Sequence, residues 1–358
     1  MPQTRAQATG PGSPEAPHSP GPSSAPAPPV PLSRARRALR AVAVVSCLPY
    51  MTLKSAWVAG SHVGIPEGSS LLEHNTTLAV ANGIGVLLDA VVVVLALLFT
   101  RPWGLRVPAW LLVFPMWVAT GLLTPIMAGY PLQLLVKAVG GTVNRSAGEG
   151  SEPFLHEWVF GMVYTGFIVQ GLALGALFVL YARDRWGHLW QGRVHELPVS
   201  RVAAAQRATA VAAAVLALLP ATMHALWACG GTAGLAPARI ADRTSDFYVL
   251  EISDALFLAA AVAGGWLLAF RRVPRAWRVR TPFALPVKVP LALAWTGSGA
   301  LTCWGGWLSM ASLGGVDDLA RRPSELMNLT YSVQMIVGIL VASVGTHFLA
   351  ERAGSPAP

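Results

Sequence analysis

Six ionisable side chains fall inside the long apolar runs of this chain: Lys54, Asp89, His224, Glu251, Asp254 and His347. A charge near the centre of a bilayer costs at least about 2.5–3.5 kcal/mol, so each needs a partner, a water path or a neutral form. Asp89 precedes Arg101 by 12 residues, on the order of 18 Å along a helix, which puts it near mid-span. A carboxyl at that depth can hold a proton or bind a cation. The plainer alternative is a protonated carboxyl bonded to a Ser, Thr or Trp of the next helix.

Lys54 and His224 each stand three residues before a tryptophan, Trp57 and Trp227, and so share a helix face with it. Counted from the inner arginines, Asp254 reaches a depth close to that of Asn82. That pairs Lys54 with Asn82 and His224 with Asp254. Two other arrangements compete for Lys54: a bond to Asp89 or Asp254, and snorkelling to the outer surface beside Trp57. Glu251 is expected at the outer interface.

Other polar groups accompany these. Thr120, Thr124, Ser298 and Thr302 are spaced to line a path beside Trp117 and Trp295, with Gln170 and Gln334 further on. Hydroxyls in helices also bond back to their own backbone, which is the plainer reading of the four. Pro49 and Pro220 each remove a backbone donor inside a span. Interruptions at matching places in two halves point to a transporter's binding site, whereas isolated kinks only set helix tilt. A site between the halves is therefore expected at Pro49, Lys54, Asp89, Trp117, Thr120, Pro220, His224, Asp254, Trp295 and Ser298.

Enzyme chemistry finds less support. No HExxH, GxSxG, P-loop or dinucleotide fingerprint is present. Cys47, Cys229 and Cys303 lack CxxC spacing, so neither a disulfide framework nor a zinc site is indicated. Haem is the one cofactor weighed, with His74 and His156 as axial candidates of suitable depth. The second half offers no equivalent pair, so no cofactor and no catalytic residue are expected.

The elements that must position these groups follow from composition. The 358 residues are 54% hydrophobic and 12% charged, with a mean hydropathy of +0.52. Soluble domains carry roughly 25% charged residues, so this chain belongs to the membrane class. The net charge of +9 lies between apolar runs rather than on one face, which argues for anionic lipid headgroups and against nucleic acid. The basic residues are 23 Arg and three Lys amid abundant Ala, Gly and Pro, the usage of a GC-rich bacterial genome.

Residues 1–33 are rich in Pro, Ser and Ala and read as a disordered tail. A signal peptide is the competing reading of the basic collar and first apolar run. It is set aside because that run has a twin deep in the chain. Eight runs approach the roughly 20 residues that cross a bilayer: 40–59, 77–99, 108–128, 157–181, 208–228, 247–270, 289–312 and 327–349. With a cytoplasmic N-terminus, 19 of the 26 basic residues fall inside, so both ends are expected in the cytoplasm of a bacterial plasma membrane. The outer segment 129–156 holds YPLQLLVKAV, expected as a surface helix or a lid.

The halves echo one another. LPYMTLKSAWVAGSHVGI (48–65) returns as LPATMHALWACGGTAGL (219–235), and WVATGLLT (117–124) as WTGSGALT (295–302). Tyr164 and Gly171 match Tyr331 and Gly338. The second and sixth runs match poorly. Gly60-x-x-x-Gly64 and Gly230-x-x-x-Gly234 have the spacing of small-residue helix contacts, or lie just past helix ends. The expectation is an all-α membrane protein of about eight helices, two four-helix repeats of one orientation, spanning 34–200 and 201–352, with a short tail at 353–358. The best-supported role is a small-solute or ion-coupled permease. A non-catalytic scaffold or sensor, and a haem or quinone redox enzyme, are the alternatives.

Overall fold

The computed structural model describes residues 33–67, 69, 75–142, 155–198, 200, 202–241, 243–271, 285–313 and 322–354. Residues 1–32 of the N-terminal tail, His74 and residues 143–154 of the outer segment lie outside them. Among the described residues the chain is helical: α1 (Arg34–Val58), α2 (Asn75–Leu98), α3 (Trp110–Ala138), α4 (Glu157–Trp186), α5 (Ala203–Leu216), α6 (Leu218–Ala228), α7 (Pro237–Ala241), α8 (Ser245–Phe270), α9 (Lys288–Leu313) and α10 (Glu325–Gly354).

Among the described residues six stretches are long and apolar enough to cross a membrane: α1, α3, α4 with its short extension to Trp190, α5 together with α6, α8, and α10. Asn82–Leu98 within α2 is a shorter apolar helix. This is an all-α, multi-pass membrane protein. α9 is 26 residues long but interrupted by Gly297, Ser298, Gly299 and Thr302. Its position accounts for that composition, because α9 packs against α8, α10 and α3 and so meets protein on several sides rather than lipid.

Two expected boundaries move. YPLQLLVKAV is not a separate surface helix, since all but its last residue continues α3 to Ala138. At about 1.5 Å per residue, α3 outruns a 30 Å hydrocarbon core, so its last turns protrude. The fifth run is divided at Ala217 between α5 and α6. Pro220 supplies the cause, because a proline ring clashes with the carbonyl four residues earlier, here that of Leu216. Pro49 leaves α1 unbroken.

The glycines after α1 and α6 are turn residues rather than helix contacts. Gly60 and Gly230 both have φ +89, and Gly64 and Gly234 have φ +79 and +75. An L side chain rarely adopts such angles, so these turns require glycine. The turns share their bonds. Trp57 Nε1 donates to Val63 O at 2.8 Å, and Trp227 Nε1 donates to Ala233 O at 2.9 Å. Each turn also buries an apolar residue one position after its second glycine, Ile65 and Leu235.

α1 packs on α2 and α4, and α3 on α4. In the second part α5 and α6 pack on α8 and α10. α3 bridges the two parts through α9 and α8. At the end where α1 begins and α4 and α10 finish, arginines tie helix ends to loops. Arg185 donates to Tyr181 Oη and Val107 O, Arg352 to Leu189 O and Gln191 O, and Arg271 pairs with Glu351 at 2.7 Å.

Candidate functional site

Among the described residues each part of the chain packs an ionisable cluster between its helices. In the first, Lys54 on α1 lies with its Nζ 3.3 Å from Asp89 Oδ2 on α2. The two residues are only 6% and 4% exposed, so the pair is withdrawn from solvent. Nζ also stands 3.7 Å from the centre of the Tyr50 ring, a cation–π contact one turn back along α1. Buried Gln170 of α4 bonds to the same carboxylate. Gly85 makes the room: a Cβ there would stand 2.2 Å from Lys54 Nζ. Lys54 therefore neither snorkels outward nor takes Asn82 as its carboxylate-like partner; it points inward to Asp89.

In the second cluster, His224 of α6 is 2% exposed and held at both ring nitrogens. Nδ1 lies 2.6 Å from Glu251 Oε2 on α8, and Nε2 lies 3.0 Å from Gln334 Oε1 on α10. The ring meets Trp227 edge-on at 5.5 Å. One donor atom each from His224, Glu251 and Asp254 lies within 4.8 Å of the others. Glu251 is thus part of the buried cluster and not an outer-interface residue. It sits three residues before Asp254, on the same helix face, and that spacing was the signal available in the sequence.

The clusters are built from similar parts. Lys54 and His224 each precede by three residues the tryptophan that pins its turn. Each meets a carboxylate from the next long helix and a glutamine from the last.

Trp117, Thr120, Trp295 and Ser298 come together elsewhere, where α3 crosses α9. Trp117 Nε1 donates to Ser298 Oγ at 3.0 Å, and Trp295 Nε1 donates to Thr120 Oγ1 at 3.2 Å. Thr120 also bonds back to Met116 O at 2.7 Å, so the plain backbone role holds for that hydroxyl as well. Between these bonds the helices touch at glycine: a Cβ on Gly121 would fall 2.3 Å from Gly299 O. This contact is close-packed, and the two ionisable clusters lie to either side of it, one within each part.

Beside it runs a cavity of about 250 Å³ between α3 and α4, lined by Met116, Thr120, Leu123, Thr124, Met127 and Gly171 among others. Between α9 and α10 the matching stretch is filled: a Cβ on Gly338 would stand 2.3 Å from Thr302 Oγ1 and 2.8 Å from Ser298 O.

Of the remaining candidates, Pro49 is exposed and Pro220 buried. His156 is exposed just ahead of α4 and forms no ion pair among the described residues. His347 is exposed and bonds to Ser343 O at 2.8 Å. No protein-family model, no curated protein and no solved structure matches this chain.

Proposed function

We propose that the protein is an ion-coupled permease for a small solute or ion, with its coupling groups in the Lys54–Asp89 and His224–Glu251–Asp254 clusters. The observation that carries this reading is the burial of ionisable groups at matching places among membrane-spanning helices. A buried ion pair does little for stability compared with an apolar pair of the same size. Intramembrane charges that face a bundle interior mark ion and proton pathways. Both clusters offer a proton donor and acceptor in contact, the minimum for reversible protonation.

The layout supports the reading as well. The crossed Trp117–Ser298 and Trp295–Thr120 bonds exchange under a two-fold rotation, as do Gly121 and Gly299. Two copies of one four-helix unit, facing the same way about an axis along the membrane normal, would produce that exchange. The positive-inside bias sets the arginine-rich end in the cytoplasm of a bacterial inner membrane, where its loops meet anionic headgroups. The cavity beside α3 is the space in which one copy departs from the other, and rocking at the α3–α9 contact would open and close it.

The test is proton movement in proteoliposomes loaded with a pH-sensitive dye. Vesicles are challenged in turn with amino acids, sugars, nucleosides and mono- and divalent cations. At least one challenge should shift internal pH with wild-type protein and not with the double variant Lys54→Met, Asp89→Leu, which removes both charges together. Internal pH that never departs from that of protein-free vesicles would overturn the coupled reading and leave a scaffold.

A further inference from the structure

The two clusters match in position but not in charge. In the first, one carboxylate, Asp89, faces one ammonium, Lys54. In the second, two carboxylates, Glu251 and Asp254, face an imidazole in the position that Lys54 holds. No Lys or Arg forms an ion pair with either carboxylate among the described residues. Asp254 makes no hydrogen bond there either, although its carboxylate belongs to the cluster. Two half-buried carboxylates with no fixed cation leave a charge deficit that the first half fills covalently, with its own side chain.

We propose that His224, Glu251 and Asp254 form a binding site for a divalent first-row transition cation, of the Mn²⁺, Fe²⁺ or Zn²⁺ class. This rests on the permease reading above and names its ion. The donor set is one imidazole nitrogen and two carboxylates, a mixture that suits these ions better than Mg²⁺ or Ca²⁺, which take oxygen alone, or Cu⁺, which takes sulfur. Bonds of about 2.1 Å at tetrahedral angles place donor atoms roughly 3.4 Å apart. The observed separations, 2.6 Å from Nδ1 to Glu251 and 4.8 Å at most among the three, bracket that value. A small rotation of Glu251 away from Nδ1 opens the space.

The surroundings are those of a ligand-orienting shell. With Nδ1 bound to the cation, the proton of the neutral ring sits on Nε2 and donates to Gln334 Oε1, which fixes tautomer and ring plane. Trp227, fully buried beside the ring, keeps water out on that side. The sequence held no metal-ligand spacing because the nitrogen and the carboxylates come from different helices.

The experiment uses the full chain, purified in detergent and stripped with chelator. Zn²⁺ and Mn²⁺ are titrated by calorimetry, and Co²⁺ by its visible absorption. One ion per chain is expected, with a tetrahedral or five-coordinate Co²⁺ spectrum. Glu251→Gln and Asp254→Asn should each weaken binding by about 10-fold or more. His224→Lys is the decisive variant, since it builds the fixed cation of the first half into the second. It should fold, as judged by its elution and melting profile, and bind no metal, while a variant of the exposed histidine of α10, His347→Gln, binds as wild type does. Stoichiometric binding that survives Glu251→Gln with Asp254→Asn, or no binding by wild type, would overturn the site. Metal uptake into vesicles carrying a fluorescent chelator separates the two claims. Binding without uptake keeps the site and sinks the permease, and proton-coupled flux without binding does the reverse.

Discussion

Trp117 of α3 donates its indole N–H to Ser298 of α9 across 3.0 Å, and the partners in sequence, Trp295 and Thr120, repeat the bond in reverse at 3.2 Å. Inside a bilayer such a bond between helices contributes about 0.6–1.7 kcal/mol. Trp117→Phe and Trp295→Phe should therefore lower the midpoint of unfolding in detergent by similar amounts. The double variant should lose about the sum if the bonds act independently, and less than the sum if they hold one contact together, because either single variant then already loosens it. A large effect from one tryptophan and none from the other would mean that only one bond secures the crossing.

Between those bonds Gly121 has no room for a side chain. A Cβ would stand 2.3 Å from Gly299 O and 2.8 Å from Cys303 Sγ, and the carbonyl cannot swing aside. Gly121→Ala should destabilise by about 1–3 kcal/mol through overpacking. Gly175→Ala on α4 is the control. Its Cβ meets nothing within 4 Å, so it should be neutral or gain up to about 1 kcal/mol from helix propensity. Thermal unfolding of both variants, measured side by side, checks the contrast.

What could be read from the sequence followed from how local each signal was. The turns after α1 and α6 were legible because Trp, two glycines and their spacing act within one short stretch, although helix contact and turn compete for the same glycine pattern until φ is known. The membrane class and six of the eight expected crossings follow from apolar run length, whereas α9 carries Gly297, Ser298, Gly299 and Thr302 where it meets protein. The partner of Lys54 was not legible, because Asp89 and Asn82 both face inward on α2 and only the missing Cβ of Gly85 lets the ammonium settle at one of them. Glu251 was not legible as part of the cluster, because its contact with His224 joins α8 to α6, and depth counted along one helix does not say what faces it. The second and sixth runs matched poorly because Asp89 lies deep along α2 and Glu251 in the second turn of α8, so the acidic positions differ even where the clusters correspond.

The cysteines test orientation without a fusion. Cys229 follows α6 directly and is exposed, whereas Cys47 is buried in α1. With the arginine-rich end in the cytoplasm, Cys229 faces outward. A membrane-impermeant maleimide applied to intact cells should label wild type and not Cys229→Ser. Labelling only after the cells are broken would place the turns of Gly60 and Gly230 inside and invert the topology.

The Lys54–Asp89 pair separates stability from function. Removing one member leaves the other charge buried without a counter-charge, which typically costs about 3–5 kcal/mol. Lys54→Met and Asp89→Leu should each be severely destabilised. Together they replace an ion pair by apolar groups of similar reach, a change that is often neutral or stabilising. The double variant should therefore recover most of the lost stability, giving a large favourable coupling in the double-mutant cycle. Recovery of the fold would not bring recovery of activity, because neither remaining side chain can carry a proton. Reconstituted double variant should be stable and yet show no proton-linked flux. If it moved protons as wild type does, the pair would be a structural strut, and the ionisable cluster around His224 would carry the coupling alone.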